Sequence, residues 1–311
     1  MRPVLHVVMY HYVRELPSTP FPRIKGMLLG DFHSQVRSFC QRYEMATLES
    51  ALAFLRGVYE PQRDMCLLTF DDGLKEHYTE VTPFLADLGV QGVFFPITEC
   101  MEEQSVASVH MNHFLMASLE LATYRNAFLK RLREIGWDQD PSSAVDEAAA
   151  KRTYRWDTPD VASFKYLFNF VLKSELRDRV VKALFEEYVS EERAFSRELY
   201  LSWEEGRAMQ EAGMILGGHS HRHRPLSSLE GEELNRDLTA CRDLLNARLR
   251  PQGQWPFSYP YGKRDSFNDA AAQSLERMDF VCSFSTETGS NHSGAELFAI
   301  RRLDCKDAPS N

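Results

Sequence analysis

Leu67-Leu68-Thr69-Phe70-Asp71-Asp72-Gly73 is the stretch on which the fold turns. With Met65 and Cys66 it begins as a continuous apolar run, the pattern of a strand buried on both faces. It ends on two adjacent carboxylates and a glycine. Neighbouring carboxylates repel, so a strand end gains nothing from them unless a cation neutralises one. The competing reading is a solvated turn, because Asp-Gly is a common turn pair.

Similar short apolar runs recur at 4–10, 92–97, 214–216, 256–259, 280–285 and 297–303. Helical periodicity fills most of the gaps. Asp31 is placed to cap a helix reaching Arg42, and further helices are predicted over 48–56, 76–88 (ended by Gly89), 232–248 and 267–278. Ser202-Trp203-Glu204-Glu205 has capping-box spacing and starts a helix ending at Gly213. Strands alternating with helices predict an α/β fold with a parallel sheet, closed as a barrel or open and doubly wound. No GxGxxG or Walker sequence supports nucleotide binding. One region breaks the rhythm. Residues 99–198 show only helical segments, at 109–135, 143–153, 159–172 and 175–188, and the length far exceeds a βα connection. The expected organisation is therefore an α/β domain of 1–98 and 199–311 with a helical insertion at 99–198. Leaving the C-terminal end of a parallel strand, the insertion is expected near the functional face, or else as a packing appendage through which two copies form a homo-oligomer.

The chain has 311 residues, 43% hydrophobic and 26% charged, as in ordinary globular proteins. Lys plus Arg is 36 and Asp plus Glu is 45, a net charge of −9, so nucleic acid and anionic lipid are not expected partners. Arg222/Arg224 and Arg301/Arg302 are the candidate local basic patches. No stretch approaches the ~18 apolar residues of a membrane span. The N-terminal apolar run is short, is broken by His6 and lacks a small-residue cleavage site, which reads as a cytoplasmic protein. Six scattered cysteines without a CxxC fit reduced thiols.

The second chemical signal is Gly217-Gly218-His219-Ser220-His221-Arg222-His223, directly after the run 214–216. Neutral imidazole is the commonest metal ligand, and His219 and His223 have a spacing that converges on one ion. With Asp72 they make a two-His-one-carboxylate set with an open position for water. Such a set suits Zn²⁺, with Co²⁺, Ni²⁺, Mn²⁺ and Fe²⁺ as alternatives. Asp71 is then left over as a general base.

Thr69-Phe70-Asp71-Asp72-Gly73 resembles the first motif of NodB-type polysaccharide deacetylases, carbohydrate esterase family 4. His219-Ser220-His221-Arg222-His223 is similar to the second, His-Ser/Thr-x-x-His, and Ser258-Tyr259-Pro260-Tyr261-Gly262 to the third, usually Arg-x-Pro-Tyr. Met9-Tyr10-His11-Tyr12-Val13 resembles the Tyr-His strand that opens one branch of the family. The motifs stand in family order, and the resemblance spans roughly 1–98 and 199–307. It implies a distorted (β/α) barrel carrying the helical insertion and metal-dependent hydrolysis of an N-acetyl group on an amino sugar. Carried over, Asp71 is the base, and Asp72, His219 and His223 hold the metal. Pro260 and Tyr261 line the substrate, the Tyr261 N–H supports the oxyanion, and Ser220 steadies the loop.

Two departures stand out. Position 258 is Ser where the family has an Arg that pairs with the base, and no C-terminal Leu-x-His supplies a general acid. His11 is the candidate acid from its branch, with His292 as the alternative. Arg302, a candidate substrate-binding residue, and Asp304 are positioned to replace the missing scaffold around Asp71. His221 is expected to face solvent, His110 and His113 are not expected to bind a second metal, and Trp137, Trp156 and Trp203 fit core positions better than sugar platforms. Two alternatives to deacetylation follow from the altered third motif: hydrolysis of a formamide, ureide or cyclic imide, or carbohydrate binding without catalysis.

Overall fold

A computed structural model describes residues 2–137 and 140–308; residues 1, 138–139 and 309–311 of the expected domain ranges lie outside the described residues. The chain divides into two compact units. One comprises Met1–Glu15, Lys25–Ser105 and Arg197–Asn311, the other Leu16–Ile24 and Val106–Ser196.

The first unit carries the strands β1 (Leu5–Tyr10), β2 (Glu44–Met45), β3 (Met65–Asp72), β4 (Gly92–Pro96), β5 (Ile215–Leu216), β6 (Trp255–Ser258), β7 (Phe280–Thr288) and β8 (Ile300–Asp304). Their order is β5-β4-β3-β1-β8-β7-β6, with β2 attached to β3. Every pairing is parallel. The ring closes through the two glycines after β5. The Gly217 N–H donates to the Phe94 carbonyl (2.8 Å), the Gly218 N–H to that of Pro256 (2.9 Å), and the Ser258 N–H returns to that of Gly218 (2.8 Å). No side chain fits in this seam. A Cβ on Gly217 would lie 2.4 Å from the Pro256 oxygen and 2.8 Å from the Phe95 ring. The fold is thus a distorted (β/α) barrel and not an open doubly wound sheet. Gly217→Ala is expected to cost about 1–3 kcal/mol by overpacking, seen as a lower urea midpoint at unchanged slope. An unchanged midpoint would show that the seam has room.

Why the site lies where it does follows from β3, of which every residue is buried. Strand alternation sends Cys66, Leu68 and Phe70 to one side, where they meet Val8, Tyr10, Phe94 and the helix residues Phe32, Val36 and Phe39. Met65 and Leu67 face the other way, with Leu5, Val7, Val93, Phe95, Phe284 and the helix Leu48–Leu55. Thr69 and Asp71 continue that second row toward the C-terminal end of the strand.

Helix boundaries follow local chemistry. The Ser202–Glu205 capping box starts Trp203–Glu211. Leu29–Arg42 begins earlier than predicted, at a Leu28 cap; Asp31 lies in the first turn, where its charge suits the helix dipole. The predicted helix 76–88 is a π-helical turn, His77–Val81, running into Thr82–Asp87.

The second unit contains only helices among its described residues, including Ser108–Ser118, Leu121–Glu134, Glu147–Thr153, Pro159–Tyr166 and Ser174–Tyr188. The single helix predicted over 109–135 breaks after Ser118. There the Arg23 Nε–H takes the Ala117 carbonyl (2.8 Å) and Arg23 pairs with Glu120 (2.7 Å). Phe21 packs edge-on against Phe114 and Phe195. These contacts assign Leu16–Ile24 to the helical unit, although the expected boundary grouped it with the barrel. Residues 99–105 stay with the barrel, where Glu102 accepts the Trp203 indole N–H (2.9 Å). Trp156 is exposed, which corrects its expected core position. All six cysteines are free thiols. Among the described residues no helix is long and apolar enough to cross a membrane.

Candidate active site

Asp71 and Asp72 end β3 differently. Asp71 keeps the strand alternation and is 1% exposed. Asp72 has φ 78°, a left-handed conformation that breaks the alternation and redirects its carboxylate. Gly73 follows at φ +67°, where a Cβ would lie 2.6 Å from that of Pro96. Ser220, His223 and Tyr261 also have positive φ, at 60°, 53° and 63°. Left-handed non-glycine residues cost energy and collect where geometry serves a site.

These turns bring Asp72, His219 and His223 together. One ligand atom from each lies within 4.8 Å of the others, and all three residues are buried. Asp72 Oδ1 is 3.5 Å from Nε2 of both imidazoles. His219 Nδ1 lies 2.7 Å from the Ser258 carbonyl oxygen, which only accepts, so the proton sits on Nδ1. In the neutral ring Nε2 then presents a lone pair to a carboxylate oxygen, and a proton or a divalent cation must reconcile the two. Burial opposes a charged His219, but Asp71 and Asp72 outweigh it and raise its pKa. The same negative field favours a metal cation. The donor set is therefore chemically suited to Zn²⁺ or a related divalent ion. The loop is braced from behind: the Ser220 hydroxyl accepts the His223 N–H (2.9 Å), and Asp237 accepts those of His221 and Arg222 (2.9 and 3.1 Å).

Asp71 is held by Arg302 from β8. Nη1 donates to Oδ1 (2.9 Å) and Nη2 to Oδ2 (2.7 Å), a bidentate pair. The remaining guanidinium protons go to Thr69 Oγ1, Ser258 Oγ and the Ser285 carbonyl at 2.8–3.3 Å. Arg302 is 1% exposed and all five N–H groups are engaged. Of its two expected places, among substrate-binding residues and in the scaffold around Asp71, it occupies the second: it grips the Asp71 carboxylate. The short Ser258 side chain leaves space for that guanidinium. Burial alone would raise the Asp71 pKa; Arg302, with smaller help from His219 and His11, outweighs it and holds the carboxyl below its ordinary range. Asp304 takes no part. Its Oδ1 accepts the Lys306 N–H (2.9 Å).

His11, just past β1, lies with its Nε2 3.9 Å from Asp71 Oδ2 and its side chain 43% exposed. His292 is at the wrong end of the barrel. Its loop is tied to the start of β1 through Asn291 and Leu5, and to the end of the helix Leu48–Leu55 through Gly294 and Leu55. The Tyr261 ring lies 5.1 Å from that of His223. Pro260 precedes it in the turn after β6, where the Pro260 carbonyl accepts the Gly262 N–H (2.7 Å). His221 turns away from Asp72. Its Nδ1 is 3.1 Å from Thr98 Oγ1, and it forms a more exposed group with Glu99 and Glu103, in which Arg222 already pairs with Glu99 (3.0 Å). His110 and His113 have ring centroids 6.0 Å apart and belong to neither three-donor group among the described residues. Sequence reasoning missed Asp237 and the Ser258 carbonyl, because a lone acid on a helix and a backbone atom carry no signal of their own.

Comparison with known proteins bears on this geometry. Among solved structures, a Streptococcus pyogenes deacetylase, PplD, in complex with acetate matches at TM-score 0.60 and 14% identity, covering 98% of this chain and 93% of that one. IcaB from Ammonifex degensii matches at TM-score 0.58 and 17% identity, covering 98% and 94%. The BpsB deacetylase domain from Bordetella bronchiseptica matches at TM-score 0.56 and 16% identity, covering 96% and 94%. At these identities the likeness establishes the shared fold. No curated protein matches the sequence. The polysaccharide deacetylase family model matches residues 59–139 and 170–282, more than half of the 311. With the motif order and the barrel in agreement, the chain belongs to the polysaccharide deacetylase family.

Proposed function

We propose that this protein is a metal-dependent N-deacetylase that cleaves the acetamido group of an amino sugar in a glycan. The reading rests above all on one juxtaposition: a buried Asp-His-His donor set beside a second aspartate that an arginine keeps ionised. Asp72, His219 and His223 would hold the divalent ion, most suitably Zn²⁺. Bound there, the metal supplies Lewis-acid polarisation of the acetyl carbonyl and eases ionisation of water. Asp71 takes the proton of the attacking water, and Arg302 keeps it aligned and charged for that task. The Tyr261 N–H, by family likeness, donates to the oxyanion that develops. His11 protonates the departing amine; its half-exposed imidazole stands beside Asp71, with Nε2 3.9 Å from Oδ2. The non-catalytic reading drew support from Ser258, and Arg302 answers that departure by supplying the guanidinium from another strand.

The test is acetate release from N-acetylglucosamine oligomers by protein loaded with Zn²⁺ or Co²⁺. Equimolar acetate and free amine are expected, with activity lost on chelation and restored by metal. Release of formate or ammonia from formamide, ureide or cyclic imide substrates, with no acetate, would move the chemistry to another amide. Carbohydrate binding without any product would make the protein a lectin-like member of the fold.

A further inference from the structure

Glu76 and His77, immediately after the Asp71-Asp72-Gly73 turn, both reach across to the segment that follows β1. Glu76 Oε1 accepts from Arg14 Nε (2.8 Å), and His77 Nε2 lies 2.9 Å from the His11 carbonyl oxygen. That oxygen can only accept, so His77 carries its proton on Nε2 and donates. The imidazole is fully buried and packs against the rings of Phe70 and Phe94, at 5.5 and 5.7 Å. Its other nitrogen, Nδ1, has no hydrogen-bond partner. Burial lowers its pKa, so the ring is neutral and has a single N–H to give. A phenyl ring would fill this space without burying an unsatisfied nitrogen. An imidazole kept here at a cost to packing points to the one bond it makes.

We propose that His77 is a positioning residue that fixes the backbone of His11 and so holds the His11 imidazole facing Asp71. The inference rests on the reading of His11 as the proton donor. His77 touches no reacting atom and acts only through His11. It couples the end of β1 to β3 and β4, because its ring is wedged against one phenylalanine from each strand.

The experiment compares an amide with an ester that needs no acid. On an N-acetylglucosamine oligomer, His77→Phe is expected to lower kcat about tenfold or more, with KM and bound metal unchanged. On 4-nitrophenyl acetate, whose nitrophenolate leaves without a proton, the same variant should stay within about twofold of the parent. His77→Gln, which keeps an N–H, should recover most of the amide rate, and His77→Leu should not; this pair also serves if His77→Phe does not fold. In a His11→Ala background His77→Phe should have no further effect. Equal losses on amide and ester, or additive losses with His11→Ala, would overturn the proposal. Full activity of His11→Ala would instead overturn the reading of His11. If neither probe is turned over, the proposed function fails, and histidine NMR still decides the positioning role: the His11 imidazole signals should move in His77→Phe and return in His77→Gln.

Discussion

Asp72→Ala is expected to reduce acetate release about 10³-fold or more and to drop bound metal from one equivalent toward none. The size follows from the several kcal/mol that a bound divalent ion supplies to an acyl-transfer transition state, at tenfold per 1.36 kcal/mol. Asp72 Oδ1 stands 3.5 Å from both imidazole nitrogens, so its loss removes the one anionic donor and leaves two neutral ones. A thermal-shift measurement separates lost binding from lost folding. The parent should gain about 2.7 kcal/mol of stability at a hundredfold excess of zinc over its dissociation constant, and the variant should gain almost none. His219→Ala and His223→Ala should behave alike. An Asp72→Ala protein with unchanged turnover would end the metal assignment.

The fold was legible where chemistry is local. β3 could be read because burial on both faces leaves a run, Met65–Phe70, that is apolar except at Thr69. Its turn could be read because the acids and the glycine adjoin. β2 could not, since Glu44 and Met45 are too few to show a period. The break at Ser118 could not either, because it depends on Arg23, ninety-four positions away from the carbonyl it takes. The site divides in the same way. Its metal-ligand candidates stand out through clustering. Arg302 was legible only as a choice between scaffolding Asp71 and binding substrate, because Asp71 lies 231 residues earlier and the chain alone cannot say whether an arginine points into a cleft or beneath it. His77 carried no signal whatever: a single histidine among the polar residues of its turn has nothing to mark it, and its bond goes to one backbone oxygen just past β1.

Arg302→Met should be the most damaging substitution that touches neither metal nor substrate. It leaves the Asp71 carboxylate buried without its counter-ion. Breaking a buried pair in this way typically costs 3–5 kcal/mol, and a misheld or protonated base is expected to lower kcat by about 10²-fold or more. The pH dependence gives the argument a sign. In the parent, Arg302 holds the Asp71 pKa below its unfolded value, so the carboxylate contributes stability above the unfolded pKa and loses it as pH falls through the folded one. In the variant burial acts unopposed by Arg302 and the Asp71 pKa rises. The stability gap between parent and variant should therefore be widest at neutral pH and shrink in acid, where Asp71 takes up a proton and no longer needs a cation. Arg302→Lys should fall between, since an ammonium restores charge and not the five-fold donor geometry. Adding Asp71→Asn should remove most of the stability penalty of Arg302→Met without restoring turnover, the signature of two groups acting as one unit. A stability gap independent of pH, or a double variant as unstable as the sum of its parts, would mean that Arg302 serves the barrel and not the base.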